Sequence, residues 1–143
     1  MQTFLPYSDF SMSAKTLDMK RLGKQRVEVS QILQCLRGEK LGWRHHPAVK
    51  MWKGYESALA LYGMYICYEW IARGYRDTLY EKFVQLYREY PSWKMPEWLG
   101  NAEFHRSHQS NLIRKDPEHY GRFGWNVDGS LPYVWPTKTK TNT

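Results

Sequence analysis

Between His105 and Tyr120 the chain reads HRSHQSNLIRKDPEHY, and it gathers three histidines, three basic residues and several amide or hydroxyl groups into about one helix and one turn. A surface helix ordinarily mixes Lys with Glu, and a core helix carries aliphatics. Here the apolar residues are only Phe104, Leu112 and Ile113. The remainder are groups that bind anions, donate hydrogen bonds or move protons near neutral pH. The segment is therefore a candidate substrate surface that meets phosphate. His108, Asn111 and Lys115 form one stripe beside Phe104. Arg114, Lys115, His119 and Tyr120 cluster where the helix ends. Guanidinium, ammonium and imidazole groups all suit phosphate, and Asn111 can read a base edge or fix a loop. The alternative is structural: Ser107, His108 and Asn111 then satisfy backbone groups of the C-terminal segment. His105 and His108 share a helical face and, with His45, His46 or His119, have the ring types of a zinc set. No carboxylate or Cys triad accompanies them, so hydrogen bonding is preferred to metal binding.

Two further groups carry chemistry. In WRHHP, Trp43 to Pro47, adjacent histidines His45 and His46 precede a helix start. Such histidines can act as general acid or base, and a helix N-terminus attracts phosphate. The alternative is a loop with surface histidines. Arg26 lies in the middle of an apolar helical stripe. A buried charge there must be paired or face a pocket, and Asp18, Glu56 or Glu69 are candidate partners. Lys20, Lys24 and Glu28 recur at four-residue spacing and read as a solvated face of i,i+4 pairs. The aromatics Trp43, Trp93, Trp98, Trp125, Tyr133 and Trp135 either stack on bases or pack the core.

The elements that must position these groups are helical. An extended entry, MQTFLPYSDF, precedes a helix expected over 13–36, with Leu22, Val29, Leu33 and Leu36 at helical spacing. Gly23 sits inside that pattern at a cost of about 1 kcal/mol relative to Ala. Pro47 opens a short helical turn. A strongly apolar helix is expected over 55–73, ending at Gly74, and its apolar residues all round predict a central, buried element. A crossing of Gly63 against Gly23 explains both glycines. Asp77 or Thr78 caps a helix running to about Tyr90. A loop with Pro and Trp follows, then the His-rich helix over 102–115, ended by Asp116-Pro117. GRFGWNVDGSLPYVWP reads as an ordered, non-helical wrap held by aromatics, and residues 137–143 as a frayed tail. The fold class is mainly α: a compact single-domain helical bundle over 1–136 with an aromatic-rich C-terminal wrap.

With 143 residues the chain suits one domain. An aromatic content of 16% excludes a disordered chain. The 21 basic against 14 acidic residues, net +7, favour a polyanionic partner, DNA or a nucleotide. Cys35 and Cys67 fall in apolar helical patterns, as buried free thiols do. The first ten residues lack the apolar core of a signal peptide, and no run reaches the roughly 20 apolar residues of a membrane span. The expectation is a cytoplasmic protein with no cofactor, no metal and no membrane contact. The protein partner stays open.

Several stretches carry a family resemblance. LDMKRLGKQRVEVSQILQCL, Leu17 to Leu36, resembles the first helix of the pyrimidine-dimer DNA glycosylases of the phage endonuclease V type, and YGMYICYEWIARGY, Tyr62 to Tyr75, resembles their second long helix. MQTFLPYSDF, LGKQRVE, GWRHHPAVKMWKGYE, RKDPEHY and LPYVWP are similar to an uncharacterised branch of that family. The resemblance implies a helical protein acting on DNA. The N-terminal α-amine attacks the sugar C1′, expels the base and leaves an imine that leads to strand β-elimination. A Glu on the first helix assists, and arginines, here Arg21 and Arg26, hold phosphate. The attacking amine must be neutral, and an α-amino group, with an ordinary pKa near 8, suits this better than a lysine. Two positions depart from the pattern. Residue 2 is Gln2, too bulky for efficient Met removal, so the amine is that of Met1. Aligning Arg26 with the family arginine places Val27 where the acid is expected and turns Glu28 elsewhere. Glu56 or Glu69 is then the replacement acid.

Three readings follow. The first is a glycosylase acting on the N-glycosidic bond of damaged or modified pyrimidines in DNA, with AP-lyase activity. Its catalytic set is Met1, Arg26, Glu56, Glu69 and His46. Its phosphate-binding set is Arg21, Trp43, His45, His105, His108, Asn111, Arg114, Lys115, His119 and Tyr120. The second is a non-catalytic nucleic-acid or nucleotide binder that keeps the fold. The third is a protein-binding module using the loop around Trp93 and Trp98.

Overall fold

Asp9 accepts a hydrogen bond from the Met12 N–H and starts α1, Phe10–Thr16. The chain does not continue as one helix. Leu17 and Asp18 take extended backbone angles, and the Asp18 carboxylate caps α2, Met19–Leu36, through the Arg21 N–H. The single helix expected over 13–36 is thus two, because Asp18 competes for the backbone as a cap instead of extending the first helix. His46 and Pro47 begin the short α3, Pro47–Lys50. The remaining elements are α4, Glu56–Ala72, α5, Tyr80–Glu89, α6, Ala102–Lys115, and α7, Pro117–Tyr120, followed by a 3-10 turn at Gly121–Phe123. This computed structural model describes residues 1–90 and 92–136. The stretch 137–143, expected to fray, lies outside the described residues.

The class is mainly α, and there is no strand among the described residues. α4 packs against α1, α2 and α5. Leu22, Val29, Ile32 and Leu33 of α2 face Leu59, Tyr62 and Ile66 of α4 in a core closed by Trp52, Phe83 and Phe104. α4 is not buried all round. Tyr65, Tyr68 and Ile71 are exposed on its outer side. An apolar helix needs only enough neighbours for part of its surface, and tyrosine tolerates water through its hydroxyl.

The two mid-helix glycines do not meet each other. A Cβ at Gly23 would lie 2.8 Å from the Trp70 ring, and one at Gly63 would lie 2.8 Å from the Phe83 ring. Each glycine makes room for an aromatic side chain from a neighbouring element or the next turn of the bundle. Trp70 in turn stacks on Tyr75 with ring centroids 4.2 Å apart and carries Arg26 over its face at 5.0 Å.

Beyond the 3-10 turn the chain runs along α6. The Leu131 N–H donates to Ser110 Oγ, the Val134 N–H donates to Ser107 Oγ, and Asn111 Nδ2 donates to the Leu131 carbonyl at 3.0 Å. Trp125 reaches the N-terminal segment, donating to the Tyr7 hydroxyl at 2.8 Å.

Candidate active site

An extended segment with no partner strand must find other acceptors and donors for its backbone. Residues 2–6 find them on side chains. Gln25, buried within α2, accepts from the Phe4 N–H at 2.6 Å and from the Tyr62 hydroxyl at 2.8 Å, and its Nε2 donates to the Gln2 carbonyl at 2.7 Å. The single Tyr62 hydroxyl proton is shared between Gln25 Oε1 and the Phe4 carbonyl, 2.6 Å away. His108 Nδ1 accepts from the Leu5 N–H at 3.0 Å, and His105 Nδ1 donates to the Leu5 carbonyl at 2.8 Å. Gln109 Nε2 donates to the Pro6 carbonyl at 2.9 Å. The N-terminus is thereby pinned between α2 and α6.

Its first residues line a cleft of about 690 Å³. Met1, Gln2 and Phe4 form one side. Asp18, Lys20, Arg21, Lys24 and Glu28 of the α2 end form the facing wall, and Lys115, Asp116 and Tyr133 complete the rim. The Gln2 N–H donates to Glu28 Oε1 at 3.3 Å, and Lys24 Nζ lies 3.9 Å from Glu28 Oε2. A carboxylate therefore sits beside the first peptide bond, with a fringe of ammonium and guanidinium groups.

His46 looks onto this end of the molecule. Burial lowers its pKa, the positive chain terminus lowers it further, and Glu28 opposes both. Its Nδ1 accepts from the Ala48 N–H at 3.0 Å, which leaves Nε2 to carry the proton of the neutral ring. Trp43 and Trp135 lie edge-on to it, with centroids 5.9 and 6.0 Å away. Trp43 and His45 are exposed.

Asp18 lies beneath the cleft. Burial works to raise its pKa, but hydrogen bonds from the Tyr120 hydroxyl and from Arg21 outweigh it and hold the carboxyl below its ordinary range. Tyr120 also accepts from the Asp18 N–H at 2.9 Å, so it buttresses the start of α2 from a buried position.

Of the expected catalytic and phosphate-binding residues, Met1, Arg21 and Lys115 line the cleft, and His46 lies within reach of the charges of the chain terminus and Glu28. The His-rich helix is oriented differently from the expected phosphate surface. His105, His108 and Asn111 are buried. His105 Nε2 accepts from the Gly100 N–H at 2.9 Å, which together with the Leu5 contact fixes the neutral ring. Burial pushes the His108 pKa down to about 3. Asn111 serves the Ser107 and Leu131 carbonyls and accepts from Arg114. His119 donates from Nε2 to the Thr16 carbonyl at 2.8 Å. Arg114 donates to the Gly129 carbonyl at 2.5 Å. These side chains hold loops in place because the unpaired backbone of the N- and C-terminal segments demands partners in the interior.

The acids proposed as replacements also lie elsewhere. Arg26 pairs neither with Asp18 nor with Glu56 or Glu69. Its Nε meets Asp77 Oδ1 at 2.7 Å, and the two side chains are 14% and 1% exposed. Glu69 pairs with Arg73 at 2.8 Å, and Glu56 accepts from the Gly54 N–H at 3.4 Å. Glu28, whose spacing reads as part of a solvated face, is the cleft carboxylate that meets the first peptide N–H. Its four-residue line with Lys20 and Lys24 is a cleft wall. The available signal was Gln25, a polar residue among the apolar positions of α2 that had to serve something buried.

Among the described residues no group of three His, Cys, Asp or Glu is arranged to hold a metal ion, and no described helix is long and apolar enough to cross a membrane.

A family model described as pyrimidine dimer DNA glycosylase matches residues 1–81, more than half of the chain. This span carries the N-terminal segment, all of α2 and the Met1–Glu28 side of the cleft. No curated protein and no solved structure matches.

Proposed function

The chain belongs to the pyrimidine dimer DNA glycosylase family, and we propose that it excises damaged or modified pyrimidines from DNA through the α-amine of Met1. The observation that carries this reading is the hydrogen bond between the first peptide N–H, that of Gln2, and the Glu28 carboxylate in a cleft that Met1 also lines. The neutral amine attacks C1′. A nitrogen–C1′ bond forms as the C1′–N1 bond breaks, and the electron pair leaves with the base, which takes up a proton. Glu28 accepts the proton released by the amine and opposes the positive charge that develops at the sugar. Opening of the sugar ring gives an imine. Loss of a C2′ proton then expels the 3′ phosphate, which is the AP-lyase step. Lys20, Arg21, Lys24 and Lys115 hold flanking phosphates, and His46 carries protons to and from the site.

The test is borohydride trapping on abasic and UV-irradiated duplexes. The expected result is a covalent adduct mapped to the Met1 amine by mass spectrometry, with strand cleavage in the absence of borohydride. An adduct at Lys24 would relocate the nucleophile. Absence of adduct and cleavage, beside salt-dependent DNA binding, would overturn the catalytic reading in favour of a nucleic-acid binder.

A further inference from the structure

Gln2 is 6% exposed, and its Nε2 is the buried side-chain atom without a hydrogen-bond partner among the described residues. Leaving a buried amide donor unpaired is destabilising, so a donor retained in that state points to a partner that arrives later. The other end of the same amide is occupied. Gln2 Oε1 accepts from the Thr3 N–H at 2.9 Å, which turns Nε2 the opposite way. Nε2 lies toward the Tyr133 hydroxyl, whose pKa burial pushes up to about 12 against the partial relief that Gln2 gives, yet it has no partner within hydrogen-bonding distance. Both Gln2 and Tyr133 line the cleft.

The charge distribution of the cleft tells what that partner is. The cations lie on α2 and at the end of α6, where they suit phosphates. The floor made by Gln2, Phe4 and Tyr133 is uncharged. A neutral amide donor set in an aromatic floor suits the carbonyl of a planar base. We propose that the Gln2 side-chain amide donates to the C2 carbonyl oxygen of the pyrimidine being released. This inference rests on the glycosylase reading above and adds a leaving-group contact to it. As C1′–N1 breaks, the electron pair on N1 delocalises onto that oxygen. A donor already in place stabilises the departing base more than the bound substrate, so it accelerates the reaction.

The experiment is single-turnover excision from duplexes bearing a cyclobutane thymine dimer, with oxygen or with sulfur at C2 of the thymines. Sulfur accepts a hydrogen bond weakly. The proteins are the wild type, Gln2→Met and Gln2→Glu. Both replacements are bulky enough to keep Met1, which intact mass verifies, and Gln2→Glu also keeps the contact to the Thr3 N–H. The expectation is that sulfur slows the wild type roughly tenfold, as loss of one neutral hydrogen bond does. Each variant excises the oxygen substrate about as slowly, and sulfur then costs it less than about twofold, because the partner is already gone. A purely structural Gln2 would lower the melting temperature and leave the sulfur effect intact in the variants. Excision by all three proteins with equal sensitivity to sulfur overturns this inference alone. No excision by the wild type overturns the glycosylase reading, and the inference with it.

Discussion

The peptide nitrogen of Gln2 donates to Glu28 Oε1 at 3.3 Å, which sets the carboxylate one residue from the start of the chain. Gln25, three residues before Glu28 on α2, grips the carbonyl of the same Gln2 at 2.7 Å. One turn of helix thus both holds the terminus and offers it an acid. Glu28→Gln keeps the hydrogen bond but removes the base. Excision and borohydride trapping should fall by roughly 10²–10⁴-fold, the range for loss of a positioned general base. DNA binding and melting temperature should stay near wild type. Trapping at an undiminished rate in Glu28→Gln would remove Glu28 from the mechanism.

The cleft wall makes a second prediction. Lys24 is well exposed, with a side chain 76% accessible, so its removal should not perturb the fold. Lys24→Ala and Lys115→Ala should each weaken binding to damaged and undamaged duplex alike. Each should also reduce the slope of log K against log salt by about one. Titrations at several salt concentrations decide this, and an unchanged slope would place the phosphates elsewhere.

Arg26 yields a third. Asp77 is almost fully covered with Arg26 in place, and Arg26→Ala removes its cationic partner. Asp77 also accepts from the Leu79 and Tyr80 N–H groups at the start of α5, so the damage spreads to that helix. The expected loss is about 1.5–3 kcal/mol of stability, as for removing a hydrogen bond to a charged group. Excision measured well below the melting point should change little. A stable Arg26→Ala protein with abolished chemistry would return Arg26 to the active site.

His108 supplies a pH prediction. Its folded pKa lies near 3, below the ordinary value near 6.5. Below pH 6.5 the unfolded chain takes up a proton that the folded chain refuses. Stability is full above about 6.5 and falls as the pH drops toward 3, by up to about 1.4 kcal/mol per pH unit. His105, whose pKa burial also lowers, acts in the same direction. His108→Asn retains an acceptor for the Leu5 N–H and has no proton to gain. Melting curves between pH 7 and 4 should flatten in that variant, and equal slopes would show that His108 does not control acid sensitivity.

Gly63→Ala probes the core. The new methyl would meet Phe83 at 2.8 Å and Val29 at 3.0 Å. Overpacking of this kind costs about 1–3 kcal/mol, only partly offset by the better helix propensity of Ala, about 1 kcal/mol. Denaturant melts should show net destabilisation. A more stable protein would mean that the Phe83 ring yields easily.

The helices themselves were legible in the sequence. Apolar spacing, the turn at Pro47, the Gly74 stop and Asp116-Pro117 mark local events, and local propensity with periodicity settles those. The break at Asp18 was written there too, as an acidic cap, but helical spacing on both sides concealed it. The basic balance pointed to a polyanion, and the motifs from MQTFLPYSDF to GWRHHPAVKMWKGYE pointed to the family. The direction of the polar side chains was not legible. A histidine that binds phosphate and one that holds the Leu5 backbone have the same composition and the same helical spacing. Only the packing of the N-terminal segment against α6 turned His105 and His108 inward. In the same way, Lys20, Lys24 and Glu28 have the pattern of a solvated face. They become a cleft wall because Gln25, on the adjoining side of α2, draws residues 2–4 alongside. Contacts such as Leu5 to His108 and Gln2 to Glu28 join residues far apart in the chain. No local pattern encodes them, and tertiary structure alone decides which polar groups meet solvent and which meet backbone.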